Sequence, residues 1–200
     1  EADRGDGTID AAAIGTAARH VVHGPMRAEG DPPESPAQQL KYLWHVLLAH
    51  GCDTTRPVHI RAYRDGDAAA LSAVFYTSVR VGSRRDYTPE QVEAWLPRPV
   101  DPSFFSTRAG DGRTLLVATI AETIIGYGDL EPDGHIDHLY CAPEWIGRGI
   151  GERLYLALEA DARARRLTTL YVDASEAARR LFERHGFTIR HRNDLARNNV

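Results

Sequence analysis

The run C141-A-P-E-W-I-G-R-G-I-G-E-R-L154 decides the reading of this 200-residue chain. Gly147, Gly149 and Gly151 alternate with Arg148 and Ile150, between an apolar, strand-like stretch (135–141) and a helix-like one with Ile150, Leu154, Ala157 and Leu158 on one face. Glycines at a strand-to-helix junction remove side chains where helical N–H groups are unpaired and the dipole end is positive, which suits an anion. They equally permit a tight turn that binds nothing. The surrounding chain has to separate these readings.

Working outward, "GRTLLVATI", "ETIIGYGDL" and "GHIDHLYCA" predict three successive strands joined by short polar turns. "LTTLYVDA" predicts another strand. "SEAARRLFERHGF" predicts a helix capped by Ser175 and ended by Gly186, and "TIRHR" starts a last strand. Upstream, "VHIRAY" alternates as a strand and "DGDAAALSAVFYTSVR" predicts a helix burying Leu71, Val74, Phe75 and Val79. "YTPEQVEAWL" predicts a short helix with Thr88 as cap and Pro89 at its first position. The order β-α-α-β-β-β-α-β-α-β implies an α+β fold, with a mixed, mostly antiparallel central sheet flanked by helices.

Residues 1–57 read as an N-terminal extension. "EGDPPESP" has linker composition, and Leu40, Leu43, Trp44, Leu47 and Leu48 mark an amphipathic helix after Pro36. That helix docks on its own domain or forms a homodimer contact. Residues 58–200 read as the main domain.

Composition narrows the function. A net charge of −4 argues against a nucleic-acid partner, and the basic "RARRL" (163–167) reads as a solvated helix end. No apolar run is long enough to span a membrane. Two cysteines without metal-ligand spacing imply reduced thiols in a cytoplasmic protein, and nine scattered histidines without a paired motif imply no metal. A dinucleotide turn would need G-x-G-x-x-G with an acid about 20 residues on. Asp173 has a suggestive position, but the glycines run G-x-G-x-G, the preceding strands look antiparallel, and too little chain follows.

"YCAPEWIGRGIGERL" followed by "LYVDASEAARRLFERHGF" resembles the acyl-CoA-binding core of the GNAT superfamily of N-acetyltransferases, over about residues 58 to 193. "YTPEQVEAW" and "IDHLY" further resemble a bacterial YafP-like subgroup. The resemblance implies acetyl-CoA as cosubstrate and direct transfer to a primary amine of a small molecule. A non-catalytic acyl-CoA-binding or assembly module with the same fold is the alternative. It also implies that the backbone amides of Gly147, Arg148, Gly149, Gly151 and Glu152 hold the pyrophosphate. Leu139, Tyr140 and Cys141 would pair with the pantetheine arm, and Ile150, Ser175 and Phe182 complete the cofactor set.

Three departures follow from the same comparison. Ile146 stands where the family prefers Gln or Arg, which weakens affinity. Phe182 stands where many members carry a tyrosine that protonates departing CoA, which costs rate. After "TIRHR" the last strand of the sheet has no counterpart before Val200, so the chain is cut short there, or the N-terminal segment or a second chain completes the sheet.

For the acceptor, alternation along "GHIDHLYC" places His135, Asp137 and Leu139 on one face and Ile136, His138 and Tyr140 on the other. Asp137 is the first candidate for the base that deprotonates the amine, because family members often place an acid there, and His138 is the second. Asp129, Glu131, Asp133 and Asp137 would draw in a cation, with Glu131 as a substrate contact. Tyr87 and Trp95 are candidate walls of the acceptor pocket.

Overall fold

The computed structural model describes residues 19–25, 57–82 and 87–193. Two four-stranded half-sheets lie between helical layers. One has the order β2 (Val58–Ala62), β3 (Thr114–Ile120), β4 (Thr123–Leu130), β6 (Leu139–Cys141), all antiparallel. The other has the order β5 (His135–Ile136), β7 (Thr169–Ala174), β1 (Arg19–Pro25), β8 (Thr188–Asn193). Among the described strands only the β5–β7 pair is parallel. The α+β class and the mostly antiparallel sheet are as expected.

The third expected strand is broken into β5 and β6, and the break has a local cause. The Asp129 amide donates to the His138 carbonyl and the Glu131 amide to the His135 carbonyl. One more residue therefore separates the two acceptors than separates the two donors, which is a β-bulge. Past it, the chain leaves β7 and pairs with β4 instead. The bulge also resets the alternation. Ile136 and Leu139 both pack in the cluster of Tyr155 and Leu158, whereas His138 and Tyr140 face that of Phe75 and Phe105. The expected common face for His135, Asp137 and Leu139 is thus corrected.

The missing strand has a counterpart at the other end of the chain. β1 lies between β7 and β8 and pairs antiparallel with both, Val22 opposite Val172 on one side and Ile189 on the other. The N-terminal segment completes this half-sheet, so a strand of the stretch read as an extension belongs to the sheet of the 58–193 region. The linker and the helix expected over 36–50, with its homodimer contact, lie outside the described residues.

Among the described residues five α-helices cover the two faces. On one side α1 (Ala68–Thr77), α2 (Pro89–Trp95) and α3 (Ser103–Ala109) bury Leu71, Phe75, Val92 and Phe105 against Val117 and Tyr127. On the other, α4 (Ile150–Ala164) and α5 (Glu176–Arg184) bury Leu154, Leu158 and Phe182 against Ile125, Ile136 and Val172. Each fully buried side chain of this size contributes about 1.5–3 kcal/mol. Thr88 and Gln91 form the reciprocal cap of α2, and the Ser175 hydroxyl accepts from the Ala178 amide at the start of α5. α1 continues into a π-helical turn, Ser78–Gly82. Helix α3 has no counterpart among the sequence expectations. Among the described residues no helix is long and apolar enough to cross a membrane.

Candidate active site

The divergence of β6 from β7 leaves one edge of β6 without a strand neighbour among the described residues. In an antiparallel ladder, backbone groups point alternately toward and away from the neighbour. The His138 carbonyl and the Ala142 amide bond to β4, so Tyr140 also faces β4 and the backbone groups of Leu139 and Cys141 face the gap. The Ser78 hydroxyl, from the π-helical turn, donates to the Cys141 carbonyl from that side at 2.6 Å. Leu139 and Cys141 therefore fit the pantetheine-pairing role implied by the sequence. Tyr140 keeps only its side chain for it.

The glycine turn continues from this edge through a 3-10 turn, Pro143–Trp145. Gly147 (φ 80°) and Gly149 (φ 79°) adopt the left-handed conformation that side chains resist. Gly149 is the N-cap of α4, and no side chain caps that end. The first amides of α4 (Ile150, Gly151, Glu152) consequently lack intrahelical acceptors. Arg148 differs from its expected role. Its amide donates to the Trp145 carbonyl at 3.3 Å, and its guanidinium lies over the Trp145 ring, 5.0 Å from the centroid.

A cavity of about 440 Å³ joins these parts. Leu139, Tyr140, Cys141, Gly147, Gly149, Ile150, Gly151, Glu152, Ser175 and Tyr87, all among the candidate site residues, line it. Arg148 and Phe182 do not. Phe182 is buried between Tyr155 and Phe187, so its ring serves the core rather than the cofactor. Sequence reading missed Ser78, Val79, Trp145, Leu181, Arg180 and Arg184 as lining residues. The i, i+4 spacing of Arg180 and Arg184 on the exposed face of α5 was a usable signal for two cations beside the glycine turn.

The two candidate bases are elsewhere. Asp137 pairs with Arg108 and lies 3.6 Å from Arg113. Burial opposes its charge, but the neighbouring His138 and Arg108 outweigh burial and hold the carboxyl well below the usual carboxylate range. His138 is buried against Phe75, Phe104, Phe105 and Tyr140, with Nδ1 3.0 Å from the Tyr127 hydroxyl. Burial, assisted by the Arg108 charge, pushes it down to about 4. Neither residue lines the cavity, and neither is poised to take a proton near neutral pH.

The acidic cluster is also committed. Asp129 is fully buried between Arg108 (2.7 Å) and Arg113 (3.0 Å), and its other oxygen accepts the His138 amide. Glu131 contacts Arg113 at 2.8 Å and His135 at 3.1 Å, and Asp133 accepts from Tyr171. Glu131 is therefore absent from the cavity wall, against expectation. The cluster locks the bulge from which Leu139 emerges. Cys141 lies on the cavity, but burial pushes its thiol up to about 12, so it is a poor nucleophile. Among the described residues no three side chains gather as a metal site.

A sheet that splits beside a glycine turn opening a helix defines the acyltransferase class to which the sequence pointed. The sequence profile of the acetyltransferase (GNAT) domain matches residues 83–200, and the chain belongs to that family. It is an acetyltransferase of the acyl-CoA-dependent kind. A GCN5-related N-acetyltransferase from Rhodopseudomonas palustris superposes with a TM-score of 0.65 at 36% identity, covering 71% of this chain and 88% of that one. The N-acetyltransferase YafP of Escherichia coli K12 is 29% identical over 130 residues, 65% of this chain and 81% of its own. The PaiA N-acetyltransferase of Thermoplasma acidophilum, solved with coenzyme A, shares the fold with a TM-score of 0.60 at 19% identity, covering 66% and 90% of the two chains.

Proposed function

We propose that the chain transfers an acetyl group from acetyl-CoA directly to a primary amine of a small molecule. The observation that carries this reading is the continuity, within one cavity, of the β6 edge that lacks a described strand neighbour and the uncapped start of α4. The pyrophosphate lies on the amides of Ile150, Gly151 and Glu152, where the helix dipole favours an anion, and Arg180 and Arg184 add positive charge. The pantetheine arm runs along Leu139 and Cys141. The Leu139 amide donates to the thioester oxygen and stabilises the charge that develops there as the amine attacks.

The amine nitrogen forms the new C–N bond, the C–S bond breaks, and CoA departs. A thiol with a reference pKa near 8.5 is an adequate leaving group without an acid from the protein, which accommodates Phe182 in place of tyrosine. The amine enters in its neutral form, its nitrogen releases one of its two protons to solvent after attack, and the departing CoA thiolate takes one up from solvent, a reading supported by the burial of His138 and the pairing of Asp137. No covalent enzyme intermediate is needed, in keeping with the inert Cys141 thiol.

Calorimetric titration with acetyl-CoA, with NAD as control, followed by amine-dependent release of CoA, tests the proposal. Saturable binding of acetyl-CoA alone together with amine-dependent turnover is the expected outcome. Tight binding without turnover on any amine would refute it.

A further inference from the structure

The wall of the cavity contributed by the π-helical turn, by Tyr87 and by α2 comprises Ser78, Val79, Gly82, Tyr87 and Trp95. It is apolar apart from two ring substituents and the Ser78 hydroxyl, which is committed to the Cys141 carbonyl. The Tyr87 ring stands at 88° to the Trp95 indole with centroids 5.9 Å apart, fixing the indole in place. The Trp95 Nε1 is shielded from solvent and has no hydrogen-bond partner among the described residues. An indole nitrogen is a donor only. Leaving a buried donor unmet costs about 1–3 kcal/mol, and native structures seldom do so without a functional reason.

The carboxylates that would have recognised a cationic substrate are engaged by Arg108, Arg113, His135 and Tyr171, outside the cavity. Among the described lining residues the one acid is Glu152, beside the glycine turn and 3.3 Å from His185. Selectivity on the α2 wall thus rests on shape, apolar contact and one waiting donor.

We infer that the acceptor amine carries a hydrogen-bond-accepting oxygen, of a carbonyl or carboxylate, which the Trp95 indole N–H receives, on an apolar body that lies along Val79 and Tyr87. This rests on the acetyl-transfer reading of the same cavity. A site built around a polar contact discriminates strongly against an analogue that lacks it, because the protein group is then left buried and unpaired.

L-Phenylalaninamide and phenethylamine are matched probes, sharing the aromatic body and differing in the carbonyl group. With the wild-type protein, kcat/KM referred to the neutral amine should favour phenylalaninamide by at least about tenfold. Trp95→Phe, which keeps a ring against Tyr87 but removes the donor, should bring that ratio close to one while leaving the acetyl-CoA Kd unchanged. A wild-type ratio near one, or a ratio that survives Trp95→Phe, overturns the inference. Should the variant fail to fold, the wild-type ratio alone decides. Turnover of neither probe also overturns it, and acetyl-CoA titration then shows whether the acetyl-transfer reading falls as well.

Discussion

The Asp137 carboxylate lies against the Arg108 guanidinium, which also holds the fully buried Asp129 at 2.7 Å. A carboxylate in this setting is an anchor for the bulge, because two arginines oppose its protonation. Asp137→Asn should lower stability to urea by about 1–3 kcal/mol, the cost of weakening a buried charged hydrogen bond. The shape of the kcat/KM profile against pH should stay as in the wild type, rising with the neutral fraction of the amine. An altered profile at unaltered stability would restore Asp137 as the base.

Gly149 is both left-handed and the N-cap of α4, the helix proposed to face the phosphates. Gly149→Ala forces an ordinary residue into that conformation, at a cost of about 1–2 kcal/mol. If the turn relaxes to relieve it, the amides of Ile150 and Gly151 turn away from the ligand. Acetyl-CoA affinity by calorimetry should then fall about tenfold or more, with the melting temperature little changed. Wild-type affinity in the variant would show that the turn does not hold the pyrophosphate.

His138 connects the core to acid stability. Its folded pKa of about 4 lies below the unfolded value near 6.5, so between these limits the unfolded chain binds the additional proton. Its contribution is complete above about pH 6.5 and is lost as pH falls toward 4, by on the order of 3 kcal/mol. Asp137, also depressed, adds its loss only further down, below its unfolded pKa near 3.9. Urea unfolding between pH 7.5 and 4.5 should show this slope, and His138→Phe should flatten it. An equal slope in the variant would assign the effect to other groups.

β1 is paired on both edges, and β8 has its strand partner in β1. Val22→Pro removes a backbone donor from the middle of that strand, where proline is not tolerated. Unfolding free energy should fall by at least about 1–3 kcal/mol, with faster hydrogen exchange in β8 than in β3. Unchanged exchange in β8 would mean that β1 does not hold it in the sheet.

Gly134, with φ 99°, immediately precedes β5, and an added Cβ there would clash with the Thr169 carbonyl oxygen. Gly134→Ala should destabilise the β5–β7 pair, read as a lower melting temperature. The acetyl-CoA Kd should move far less than in Gly149→Ala. Equal losses of affinity in the two variants would mean that the turn before β5 also shapes the cofactor groove.

The features legible in the chain alone are those set by neighbours in sequence. Alternation marked β2, β3, β4 and β7, Thr88 and Ser175 announced their helices, and the glycine spacing announced the turn at α4. The tertiary structure decided the rest. Helix α3 is only Ser103–Ala109, too short for a periodic signal, yet it supplies Arg108. The bulge at Asp137 depends on amides of β4, and it exchanges the faces on which a simple alternation places Ile136 and Asp137. The place of β1 depends on β7 and β8, far along the chain, and on backbone hydrogen bonds that any extended segment can offer. Such groups acquire partners only once distant segments meet. Local spacing could therefore announce the glycine turn but not which acids the arginines would claim.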